Sequence, residues 1–74
     1  MIARILIWSL YDSKTTLDEL RERLPPLPEG AHWISNDAQE RFGLIVVGDE
    51  LPEIGEVQDL VGVEPVVFEE FDVE

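Results

Sequence analysis

Seventy-four residues suffice for one small domain spanning residues 1–74, and a chain of that size buries only about 60% of the surface its unfolded form exposes. With no Cys and a single His, the chain has no disulfide, thiolate metal site or cysteine nucleophile, and no cofactor is expected; oligomerisation is the remaining way to enlarge its core. Seventeen Asp and Glu against five Lys and Arg give a formal charge of −12, a field that repels phosphate backbones and anionic lipid and so argues against nucleic-acid and membrane-surface binding.

A hydrophobic fraction of 45% is that of an ordinary folded domain despite the charge. The acidity fits a solubilised cytosolic protein first. It also fits adaptation to high internal salt, given that Lys14 is the only lysine, or a basic partner. The opening stretch "MIARILIWSLYD" has only the six residues Ile5 to Leu10 between Arg4 and polar chain. That is short of a secretory apolar region of roughly seven to fifteen residues, and nothing approaches the roughly 20 apolar residues of a membrane span. The expected compartment is the cytoplasm.

Ile2 to Leu10 is too short for a stable helix and apolar on both alternate sets, with Ile2, Leu6, Trp8 and Leu10 on one and Ala3, Ile5 and Ile7 on the other. This predicts a central strand covered on both faces. In "DSKTTLDELRERLPPLPEG", Thr15 or Thr16 can cap a helix, and Thr16 with Glu19 has capping-box spacing. Leu17, Leu20 and Leu24 form one apolar stripe over two to three turns, and Pro25, Pro26 and Pro28 end the helix. Ala31 to Asn36 and Arg41 to Val47 are short apolar runs separated by Asp37, Ala38, Gln39 and Glu40, which predicts a β-hairpin whose second strand is again apolar on both faces.

"GDELPEIGEVQDLVG" predicts a second helix, with Asp49 or Glu50 near its start and Pro52 in its first turn. Its stripe comprises Leu51, Ile54, Val57 and Leu60 or Val61, and Gly62 is its C-cap. Gly55 inside it costs about 1 kcal/mol relative to Ala. "EPVVFEEFDVE" closes the chain as a strand with an acidic end.

The element order strand, helix, strand, strand, helix, strand is the ferredoxin-like βαββαβ arrangement, an α+β fold with a four-stranded antiparallel sheet and both helices on one face. Right-handed crossovers put the first and third strands side by side in the centre. Two helices cover one face only. Either Ile5 and Ile7 or Leu6 and Trp8 therefore face away from them, together with either Leu44 and Val46 or Ile45 and Val47, and an apolar patch of that kind marks an interface. A second copy packed sheet against sheet is the economical way to cover it.

In element order, size and apolar sheet, over nearly its whole length, the chain resembles the dimeric α+β barrel superfamily. The nearest type is the small antibiotic-biosynthesis-monooxygenase-like domain, with a Trp-bearing second strand in "HWIS" and a Phe-bearing last strand in "VVFEEF". The resemblance implies ferredoxin-like protomers paired through their sheets. Members of that superfamily oxidise polycyclic or haem substrates, isomerise, regulate, or have no assigned chemistry, so no catalytic residue is carried over.

Among candidate sites, His32 with Ser9, Ser13 or Ser35 lacks the surroundings of a nucleophile, and the scattered glycines form no phosphate-cradling loop. Glu69, Glu70, Asp72 and Glu74 are carboxylates on a strand whose neighbours point to opposite faces, so they read as a solvated terminus that guards an edge strand, and no metal is assigned to them. Trp33 reads first as packing and then as a stacking wall. His32 reads first as an edge residue and then as a candidate proton shuttle, and Asn36 with Asp37 as the start of the hairpin turn. A small aromatic or hydrophobic ligand would be met near Trp8, Tyr11, Trp33 and Asn36, between helices and sheet or inside the dimer barrel.

The leading functional expectation is thus a homodimeric ligand-binding or interaction module, joined through the open sheet face. A second is a cofactor-independent monooxygenase or isomerase acting on a small aromatic substrate. A third is a regulatory module like the amino-acid-binding ACT domains, which share the element order; its ligand region would be "YDSKTT", without the glycine such domains tend to use.

Overall fold

The computed structural model describes residues 1–74. Its elements are β1 (Ile2–Ser9), α1 (Leu17–Arg23), β2 (Ala31–Asn36), β3 (Arg41–Val47), α2 (Gly55–Val61) and β4 (Val67–Asp72). All pairings are antiparallel and the strand order is β2-β3-β1-β4, so the fold is ferredoxin-like α+β and the two strands apolar on both faces are the central ones. No helix is long and apolar enough to cross a membrane.

Cross-strand pairing decides which side is core. Leu6 lies opposite Leu44 and Trp8 opposite Phe42, and these four, with Val46 and Ala31, are buried against Leu20 of α1 and Val57 and Val61 of α2. Ile5, Ile7, Ile45 and Val47 therefore occupy the face that the helices leave uncovered. Phe42 is the centre of an aromatic stack, with its ring 6.3 Å from that of Trp8 and 5.3 Å from that of Trp33. Trp33 donates its indole N–H to the Pro25 carbonyl at 3.2 Å. The indole N–H of Trp8, wholly buried, has no acceptor. An orphaned buried donor costs about 1–3 kcal/mol, and a stacked aromatic neighbour returns only about 0.5–1.5.

The local signals of α1 are realised closely. Thr16 is the cap, accepting the Glu19 N–H at 3.2 Å, while the Glu19 carboxylate accepts from the Thr15 hydroxyl at 3.0 Å rather than returning to the cap residue. Leu24, which precedes Pro25, is extended with ψ 126° and ends the helix, as a residue before proline prefers. α2 departs from expectation. It starts at Gly55, not near Asp49, and Pro52 lies before it rather than in its first turn. Proline keeps Leu51 out of the helical region, and Leu51 is exposed instead of lying on the buried stripe. Gly55 thus stands at the first helical position and not inside, and α2 has no side-chain N-cap. Gly62 terminates it with φ 72°, its N–H reaching the Gln58 carbonyl at 2.9 Å.

The hairpin between β2 and β3 closes with the Glu40 N–H on the Asp37 carbonyl at 3.3 Å and the Gln39 N–H on Asn36 Oδ1 at 3.2 Å. Glu40 has φ 51°, a left-handed conformation that costs a side-chain-bearing residue about 1–2 kcal/mol. Its carbonyl accepts the Leu10 N–H at 2.8 Å, tying the turn to the end of β1.

Two stability measurements follow. Glu40→Gly relieves the left-handed strain, less the about 0.5–1 kcal/mol of extra chain entropy that glycine loses. The expected net gain of about 0.5–1 kcal/mol appears as a higher urea midpoint at unchanged slope. Phe42→Ala empties the centre of the aromatic stack and removes about 3–5 kcal/mol. A chain of this length holds roughly 4–11 kcal/mol in total, so this variant should be largely unfolded in mild urea.

Candidate functional site on the open sheet face

The register lays out the uncovered face in rows. Val47, Ala3 and Phe71 form the first; His32, Ile45, Ile5 and Glu69 the second; Ile34, Gly43, Ile7 and Val67 the third; Asn36, Arg41 and Ser9 the last, at the hairpin end. The middle of this surface is aliphatic and the first row continues it with Val47, Ala3 and Phe71, while polar side chains stand at His32, at Glu69 and along the hairpin end. Of the chain's seventeen acidic residues, Glu69 is the only one that a strand presents on this side.

Gly43 interrupts the aliphatic centre. A Cβ there would stand 2.5 Å from the Leu6 carbonyl oxygen and 3.1 Å from Ile34 Cγ1, so the close approach of β3 to β1 forbids a side chain. The missing side chain leaves a depression of about 260 Å³ walled by Ile7 and Ile34, with Asn36, Gln39 and Arg41 at its rim. Arg41 has no carboxylate within 4.0 Å, in contrast to Arg4, which pairs with Glu70 at 3.3 Å, and Arg21, which pairs with Asp37 at 2.6 Å. Asn36 engages its Oδ1 with the Gln39 backbone N–H, which leaves its amide N–H groups as donors.

A larger cavity of about 430 Å³ lies on the other side of the hairpin, between Ser13–Asp18 and the turn at Asp37 and Glu40. Most of its polar side chains are already engaged, Lys14 and Glu40 being the exceptions. Arg21 reaches Asp37, Ser35 at 3.0 Å and Asp18 at 3.5 Å. Ser13 donates to the Val61 carbonyl at 2.7 Å, and Thr15 to Glu19. These contacts pin α1 to the hairpin and to α2, and that cavity is a consequence of the pinning. No group of three or more acidic or His side chains is arranged to hold a metal ion. Glu69 and Glu70 point to opposite faces, with Glu70 on Arg4.

The residues singled out from the sequence divide between the two faces. Trp8 and Trp33 both lie on the helix side and meet through Phe42, Trp8 fully buried and Trp33 half-buried. Tyr11 is 72% exposed in the turn after β1. Asn36 and His32 both project from β2 onto the open face, two rows apart, or about 13 Å at strand rise. Only Asn36 of this set lines the depression over Gly43. Arg41, Gln39 and Gly43 were missed by sequence reasoning, although one signal pointed at them: an isolated glycine inside an apolar strand marks a close backbone approach.

No family model matches the chain, and no curated protein or solved structure is significantly similar to it.

Proposed function

We propose that the protein is a small acidic homodimeric binding module of the dimeric α+β barrel type, acting in the cytoplasm, in which two copies pack their open sheet faces together around a ligand space. The observation that carries this reading is the distribution of charge: a chain of net −12 keeps its central sheet face aliphatic, with Arg41 and Glu69 as its only fully charged side chains.

The dimensions fit a modest dimer. Four strands at about 4.8 Å spacing and a length of about 20 Å give a projected face of about 400 Å² per copy. Two copies with side-chain relief then come close to the about 1,000 Å² that a specific interface needs. A second copy is favoured over an unrelated acidic partner because the face is nearly neutral and largely apolar, with Arg41 and Glu69 as one charge of each sign that a two-fold axis can bring towards each other. The monooxygenase or isomerase reading needs Trp33, Asn36 and His32 to act together, and Trp33 lies on the face opposite the other two.

Repulsion between two chains of −12 opposes association, whereas the apolar contact does not depend on salt. Sedimentation equilibrium at micromolar concentration should therefore show a dimer that tightens between about 0.05 and 0.5 M salt as the Debye length falls. Ile45→Lys should yield a folded monomer, with folding verified by circular dichroism and amide dispersion, while His32→Ala at the border leaves the dimer intact. A wild-type chain that stays monomeric at both salts would sink the dimer reading.

A further inference from the structure

Carboxylates are unevenly distributed among the surface cavities. The four larger depressions, of about 380 to 700 Å³, each carry two or three Asp or Glu side chains. The depression over Gly43 carries none, in a chain where seventeen of seventy-four residues are acidic. What lines it instead is Arg41, Asn36 and Gln39, set beside Ile7 and Ile34. Lys14 and Arg23 also lack an ion-pair partner, but each lines a depression that contains two or more carboxylates. Arg41 is the one unpaired cation beside a carboxylate-free, partly apolar space.

We propose that this depression binds a small monocarboxylate with an apolar body, its carboxylate on the Arg41 guanidinium and the Asn36 amide, and its hydrocarbon part over Gly43 between Ile7 and Ile34. The chemistry selects the class. A guanidinium presents paired N–H donors that match the two oxygens of a carboxylate, and such charge-assisted bonds are the strong ones. A single cation balances a single negative charge; a dianionic phosphate would be left with excess charge inside the field of a −12 chain. Half of the lining offers nothing to a fully hydrated anion, so the ligand must bring apolar surface to displace water from Ile7 and Ile34. The volume, about 260 Å³, lies below the about 300 Å³ at which sites for drug-sized ligands begin, which restricts the ligand to something of the size of a benzoate or a short-chain acid. The proposal rests on the binding-module reading and deepens it by naming the ligand class; the notch is lined by residues of a single chain, so ligand uptake and association state are read separately in its test.

The test titrates benzoate, with benzamide as its neutral counterpart of the same shape, into the full chain at about 0.15 M salt, where remote acids are screened beyond about 8 Å. Binding is followed by NMR through the Gly43 backbone amide, the Asn36 and Gln39 side-chain amides and the Arg41 Nε–H, with the association state measured in parallel. Benzoate should shift these signals saturably and bind at least about tenfold more tightly than benzamide. Arg41→Gln should lose about tenfold or more of the benzoate affinity with its association state unchanged, and Arg41→Lys should fall between, keeping the charge without the planar fork.

Equal binding of benzamide, unchanged affinity in Arg41→Gln, or shifts centred on Lys14 and Arg21 would overturn the proposal. So would a dimer that fails to take up benzoate, or one that dissociates in Arg41→Gln, since Arg41 would then be an interface cation. Benzoate binding to a monomeric wild type supports this site while removing the dimer.

Discussion

The pairing of Leu6 with Leu44 and of Trp8 with Phe42 across β1 and β3 is the contact on which the other features of the molecule depend. Side chains alternate along a strand, so this register sends Leu6, Trp8, Phe42, Leu44 and Val46 to the helices and Ile5, Ile7, Ile45 and Val47 the other way. A slip of one residue would exchange the two sets. Both sets are apolar, so hydrophobicity alone does not forbid the slip. The observed register is held by size: Trp8 and Phe42 fill the space under the helices and stack with Trp33, whereas the alternate set offers Gly43 in place of Phe42.

The helical layer is thin, with seven residues in each helix, and helices of that length have little stability of their own. α1 is supported by the Thr16 cap and by Arg21 reaching across to the hairpin. α2 has the Gly62 cap at its end and no side-chain cap at its start, so its stability comes from burying Val57 and Val61. The exposed ion pairs of Arg21 add little energy and mainly fix direction. Strain at Glu40 and the unpaired Trp8 indole N–H, the one buried side-chain polar group without a partner, are two local costs of the structure.

The helix side is filled by aromatic packing, and the proposed binding surface is the open side. Gly43 links the two sides. The same close approach of β3 to β1 that aligns Phe42 beneath the helices excludes a side chain on the opposite surface and leaves the depression there. Arg41 and Asn36 border it because they pair with each other at the end of the β2–β3 ladder. Packing on one face thus shapes the candidate site on the other.

By itself the sequence determined the order and type of all six elements, the central position of β1 and β3, the hairpin at Asp37 to Glu40, the proline stop after Leu24 and the Gly62 cap. These depend on periodicity, on proline and glycine geometry and on short-range hydrogen bonds, all of which act within a few residues. It did not determine where α2 begins, because the exclusion of Leu51 from the helix by Pro52 competes with an apolar stripe that runs straight through it. Nor did it determine which alternate set of β1 and β3 faces the helices, since both sets are apolar and only the fit of Trp8, Phe42 and Trp33 against one another separates them. That choice put the two tryptophans on one side of the sheet and Asn36 and His32 on the other, and it made Arg41 a neighbour of Ile7 and Gly43. Proximity between residues far apart in the chain is a property of strand register, and register is settled by packing in three dimensions.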